Sequence, residues 1–284
     1  MRTRTWLLAI LLTFVSIIAN AQDANEALVR ELYVKSGLEK QIDMLPAAIL
    51  ANIDQEFGKD QQMKDLPKNV TSAIRVSVLE AFAPESLKQT VLPLLGAKLT
   101  TRDIKDILEW FDSPTGKKFA RLEEAAAVPE AEKEMEQYVA QLQNSPQTEA
   151  RFGILKELDA ATKSTESSLE AALGIQTAVI AALIATQPAE QQSRLKESAS
   201  REMEKNRPQM EAFLRSRVIG YLLYAYRSAT EAELQKYIEF AKSPAGSKYN
   251  SVSVAALKDA LMGGSIRFGK AVGEAMQVKA PSDA

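Results

Sequence analysis

Glu109 and Glu239 each stand directly before an aromatic residue, Trp110 and Phe240, and of all the side chains in the sequence they come nearest to a chemical arrangement. An apolar neighbour raises a carboxyl group toward the range of a general acid, and such a glutamate could protonate a glycosidic oxygen, as peptidoglycan-cutting enzymes do. The competing explanation is structural. Each glutamate lies beside the apolar stripe of an amphipathic helix, where an acid is ordinarily solvated or paired with lysine. Trp110 and Phe240 divide in the same way, between lining a ligand groove and packing helix against helix. Lys118 and Lys248 can pair with acids or simply solvate their helix.

Most other chemistry is missing. The chain has no histidine and no cysteine, which removes the usual general base of hydrolases, the commonest zinc ligand and all thiolate chemistry. Neither G-x-G-x-x-G nor G-x-x-x-x-G-K-[ST] occurs, so no phosphate loop is present. No catalytic, cofactor-binding or metal-binding residue is assigned, and no cofactor is expected. The reading that follows is a non-enzymatic binding or interaction protein. Its alternatives are a glutamate-dependent cell-wall hydrolase and a carrier of a hydrophobic ligand.

The elements that hold these residues are read from a comparison at a constant offset of 130. Residues 100–119, TTRDIKDILEWFDSPTGKKF, lie over 230–249, TEAELQKYIEFAKSPAGSKY, with Thr100/Thr230, Glu109/Glu239, Ser113/Ser243, Pro114/Pro244, Gly116/Gly246 and Lys118/Lys248 identical. Thr100-x-x-Asp103 and Thr230-x-x-Glu233 have the form of capping boxes that open a helix. Ile104, Ile107, Leu108 and Phe111 form one stripe and Leu234, Tyr237, Ile238 and Ala241 the other, each spaced i, i+3, i+4, i+7. At Ser113-Pro114 and Ser243-Pro244 the serine can cap a second helix, and proline suits its first position. Gly116 and Gly246 fall in that helix's first turn, a costly place for glycine unless another backbone comes close. Phe119, Leu122 and Ala126 match Tyr249, Val252 and Ala256 as the inner face of the second helix. The motif is a helical hairpin, present twice.

An upstream echo, Leu28-Val29-Arg30-Glu31-Leu32 against Ile154-Leu155-Lys156-Glu157-Leu158, recurs at an offset of 126. Each unit is therefore a little under 130 residues and starts with a short helix. The expected organisation is a first helical repeat over 22–145, a second over 146–277 and a tail over 278–284, an all-α chain of two tandem antiparallel bundles packed side by side through the hairpins.

The segments F-D-S-P-T-G-K-K-F at 111–119 and A-K-S-P-A-G-S-K-Y at 241–249 resemble those of a family of exported bacterial proteins, domain of unknown function 2059. The resemblance implies a periplasmic all-helical domain with this hairpin near its end, and it carries over no catalytic residue. The second segment departs from the pattern where Lys117 becomes Ser247 and Phe111 becomes Ala241.

The N-terminus agrees with export. Arg2 and Arg4, the apolar run Trp6–Ile18 and Ala19-Asn20-Ala21 have the layout of a secretory signal peptide cleaved after Ala21, and the run is short for a span that needs roughly 20 residues. Periplasmic localisation follows as an expectation, with no stable membrane span after signal removal. Removing residues 1–21 takes two arginines and no acid, so the formal charge moves from −2 to −4. Basic residues are interspersed with acids throughout, which disfavours nucleic acid as a partner. The partners left open are another envelope protein or a hydrophobic small molecule; the oligomeric state is not encoded in these patterns.

Three further segments carry expectations. Residues 171–186, AALGIQTAVIAALIAT, suit a buried core helix, with 45–51 as their counterpart. The polar tract 187–209 suits an exposed helix bounded by Pro188 and Pro208, and 58–68 a loop.

Overall fold

A computed structural model describes residues 25–59, 68–126, 128, 131–142, 147–185 and 187–277, and among them every regular element is an α-helix. The proposed signal peptide at 1–21, the tail at 278–284 and the unit boundary near 144–146 lie outside the described residues. The helices are α1 (25–35), α2 (Leu38–Lys59), α3 (Lys68–Ala81), α4 (Pro84–Lys98), α5 (Thr101–Asp112), α6 (Pro114–Ala126), α7 (Ala131–Leu142), α8 (Gln147–Thr162), α9 (Ser164–Ala185), α10 (Ala189–Ala225), α11 (Glu231–Lys242) and α12 (Pro244–Gln277). Helix therefore occupies both ends of the 58–68 stretch read as a loop.

The two hairpins, α5–α6 and α11–α12, close by the same local chemistry. Thr100 accepts from the Asp103 N–H while the Asp103 carboxylate accepts from the Thr100 N–H, and Thr230 and Glu233 repeat both bonds, so each first helix opens on a complete capping box. Ser113 and Ser243 end those helices in extended backbone, and each accepts the N–H of the glycine three residues on, at 3.0 and 3.1 Å. The corner is so tight that a Cβ on Gly116 would stand 2.0 Å from the Trp110 carbonyl oxygen, and one on Gly246 2.1 Å from that of Phe240. A backbone occupies the space where a side chain would go.

Upstream, α1 turns into α2 at Gly37 (φ 78°) and α8 turns into α9 at Lys163 (φ 59°), left-handed corners at positions 126 apart. Each upstream helix is tied to its hairpin by an ion pair of opposite sense. Lys35 of α1 donates to Asp112 of α5 at 2.7 Å, whereas Glu157 of α8 accepts from Lys242 of α11 at 2.5 Å.

The packing corrects the expectation of one bundle per repeat. One buried cluster joins Val29, Leu32, Ile42, Ile49, Val78, Phe82, Leu87, Leu95, Ile104 and Ile107 to Tyr249, Ala256, Leu261, Phe268 and Val272 of α12. The other joins Leu155, Leu158, Ile219, Leu222, Leu223, Leu234 and Ile238 to Phe119 of α6. Each half sends the second helix of its hairpin into the other half's core. An amphipathic stripe requires that a helix be covered on one face, but it does not specify the neighbour that covers it, which is why the exchange is absent from the local pattern.

Between Gln187 and Gln209 a second correction is needed. Pro188 is the N-cap of α10, but Pro208 lies inside it, and the helix continues to Ala225 for 37 residues in all. Pro208 is exposed, so its missing N–H and displaced backbone are met by solvent rather than by a packed core. Residues 171–185 of the apolar segment fall in α9, which packs along α12, and 186 lies outside the described residues. There Ser265 donates to the Gly174 carbonyl at 3.0 Å, and a Cβ on Gly174 would stand 2.9 Å from that of Leu261, so small residues bring the two helices close. Among the described residues no helix is long and apolar enough to cross a membrane.

Candidate functional site

The structure brings the paired hairpins together around one axis-like contact. Trp110 of α5 and Phe240 of α11, equivalent positions, stack on each other with ring centroids 4.7 Å apart and planes 6° from parallel. Tyr237 lies 5.3 Å from Trp110, and Phe111 meets both Phe240 and Tyr249 edge-on. Of the two readings of Trp110 and Phe240, packing of helix against helix is the one these contacts fit, since rings fill the space beside them. Two ion pairs also cross between the halves: Lys118 of α6 donates to Glu233 at 2.6 Å, and Lys248 of α12 donates to Asp103 at 2.5 Å.

Both acids also belong to capping boxes, so each lysine docks on a helix start whose carboxylate is already fixed. The Lys248 ammonium, with the Thr100 N–H, holds the Asp103 carboxyl down at about 2, and Lys118 with the Thr230 N–H holds Glu233 at about 2. Stability drawn from these pairs is complete above the ordinary carboxylate range and is lost as pH falls toward 2.

Glu109 and Glu239 are not brought together with this cluster. Both side chains lie on exposed helix faces. The hairpin acid set among aromatic rings is Glu123 of α6, which is half-buried. Its carboxylate accepts from the Tyr226 hydroxyl at 2.6 Å and from Tyr237 at 3.3 Å, and Tyr221 donates to its main-chain oxygen at 3.1 Å. Phe119, one turn earlier, packs edge-on to Tyr226 with centroids 4.9 Å apart. Burial pushes the Glu123 carboxyl above its ordinary range, with the two phenol donors partly opposing the shift. Burial and the carboxylate's charge push Tyr226 and Tyr237 well above the usual phenol value.

This glutamate was legible in principle. Phe119, Leu122 and Ala126 define a stripe in which position 123 also faces inward, four residues after Phe119, and an acid on a core face is the signal that an apolar reading passes over. The equivalent position in the second hairpin holds Ser253, so this half-buried acid occurs on one side of the pairing only.

Its raised pKa has a defined consequence. The folded state binds the Glu123 proton more tightly than the unfolded chain, so this residue's contribution to stability is greatest in acid and declines as pH rises through the elevated pKa. Glu123→Gln is therefore expected to gain stability relative to the parent as pH rises toward neutrality. Tyr226→Phe, which strips a donor from the charged form, is expected to cost about 1.5–3 kcal/mol at neutral pH and less in acid. Urea unfolding of both variants across pH 4 to 8 measures this, and parallel pH profiles for parent and Glu123→Gln would refute it.

A second feature lies away from the aromatic core. An open groove of about 550 Å³ runs between α1 and α4, lined by apolar Val29, Leu92, Pro93 and Gly96 and by charged Glu26, Arg30, Glu85 and Lys88. Among the described residues no group of three or more acids could hold a metal ion.

Residues 85–145 match the family model DUF2059, described as an uncharacterized protein conserved in bacteria. The matched stretch runs from α4 through the first hairpin and α7, so it contains the Ser113-Pro114-x-Gly116 corner, Trp110, Lys118 and Glu123. No curated sequence and no solved structure showed a match to the chain. DUF2059 thus accounts for the hairpin that carries the site, and its description assigns that hairpin no activity.

Proposed function

We propose that the protein is exported to the periplasm, with cleavage after Ala21, and acts there without catalysis by binding a segment of another envelope protein along the α1/α4 groove. The groove carries this reading. It is open, part apolar and lined by two charges of each sign, which suits a mixed-sequence protein segment better than a highly charged polymer. The absence of histidine and cysteine and the exposed positions of Glu109 and Glu239 weigh against hydrolysis. Support for export comes from Arg2, Arg4, the apolar run Trp6–Ile18 and the Ala19-Asn20-Ala21 site. A hydrophobic small molecule between the halves is disfavoured, because stacked rings fill that space.

The test has two arms. Purified protein run in a peptidoglycan zymogram is expected to give no clearing; clearing that disappears in Glu109→Gln combined with Glu239→Gln would install the hydrolase, and clearing lost only in Glu123→Gln would move the chemistry to the tyrosine-bound acid. A photo-crosslinking residue at Gln89 in the exported protein is expected to trap one envelope protein, and Leu92→Arg is expected to reduce that adduct about tenfold or more. An adduct of unchanged yield in Leu92→Arg would remove the groove from the account.

A further inference from the structure

We infer that the two halves of this chain are a two-fold dimer joined into one polypeptide: the face each half presents is a self-complementary association surface, its partner is a second copy of the same helical unit, and the link at 143–146 is not needed to hold the pair.

Reciprocity is the first ground. In a two-fold interface, if residue i of one unit meets residue j of the other, then j of the first meets i of the second. Lys118 meets Glu233 and Lys248 meets Asp103, and each residue in the second pair stands 130 positions from its equivalent in the first. Both acids play the same role in their capping boxes, so the two ion pairs are the same contact made twice.

A residue that meets its own equivalent marks where such an axis passes, and Trp110 stacked on Phe240 does this. Incompleteness of each half is the third ground. Without α12 the first cluster loses Tyr249, Leu261 and Phe268, and without α6 the second loses Phe119 and its ring contacts with Tyr226 and Tyr237. Neither half closes its own core, whereas together they close both. The inference is independent of what occupies the α1/α4 groove.

The test uses the full-length protein with a sequence-specific protease site placed between Asn144 and Ser145. After cleavage the two fragments are expected to elute together at the volume of the intact chain, to keep its helical circular dichroism, and to part only in denaturant. Lys118→Glu sets like charges together at one crossing, and in the cleaved protein it is expected to weaken the pairing about tenfold or more. Lys236→Glu, on an exposed face of α11, is expected to leave the pairing unchanged. Fragments that separate in plain buffer would overturn the inference. So would a single purified fragment that runs as a folded monomer with its own cooperative melt, or charge reversals at Lys118 and Lys236 that weaken the pairing equally.

Discussion

Gly246→Ala is expected to destabilise the protein by about 3 kcal/mol, and Gly116→Ala by a similar amount. The sign makes the experiment decisive. Alanine in place of glycine inside a helix ordinarily adds about 1 kcal/mol of stability, because it narrows the unfolded ensemble and favours helical backbone. Here the new Cβ would stand 2.1 Å from the Phe240 carbonyl oxygen and 2.9 Å from its carbon, atoms that belong to backbone and cannot swing aside as a side chain could. Relief would require opening the corner between α11 and α12, which would shift Tyr249, Phe268 and the rest of the exchanged helix out of register with the first half's core. Gly153 in α8 supplies the control, since nothing lies within 4 Å of a Cβ built there. Urea midpoints should fall for Gly116→Ala and Gly246→Ala and rise or hold for Gly153→Ala; a gain at all three would mean that the corners are looser than the geometry states.

Phe119→Ala is the second large effect, at about 3–5 kcal/mol for truncating a fully buried aromatic. Phe119 is 1 % exposed and lies 4.9 Å, centroid to centroid, from both Tyr226 and Tyr237. Where the loss appears matters as much as its size. Phe119 belongs to the first hairpin, but the other buried members of its cluster come from α8, α10, α11 and the α10–α11 link, so backbone amides of those second-half helices should lose hydrogen-exchange protection before those of α4. Loss of protection confined to α1–α5 would contradict the exchanged packing.

Sequence-local features could be read because their causes act over three or four residues. Thr100 and Asp103, or Ser113 and Gly116, bond to each other whatever lies beyond the hairpin. The partner of a stripe is another matter. Ile104, Ile107 and Leu108 require cover, but that α12 supplies part of it depends on contacts some 140 residues away. Lys118 was open between pairing and solvation for the same reason, since Glu233 lies 115 residues off. Pro208 misled as a boundary because a proline's helix-breaking force depends on whether solvent can take up the displaced backbone, which only its exposure reveals. Glu123 went unseen because it hides among apolar neighbours, and the three tyrosines that bind it come from α10, its C-cap and α11.

The opposed polarity of the upstream ion pairs bears on how such a chain avoids assembling wrongly. Two units so alike invite α1 to settle on α11, or α8 on α5, during folding. Glu31 is the equivalent of Glu157, so α1 on α11 would still offer an acid to Lys242, but Ala161 stands where Lys35 does, so α8 on α5 would leave Asp112 without its lysine and near Glu157. The lysine that only α1 carries thus reserves α5 for α1, and discrimination there comes from repelling the wrong dock as well as from attracting the right one.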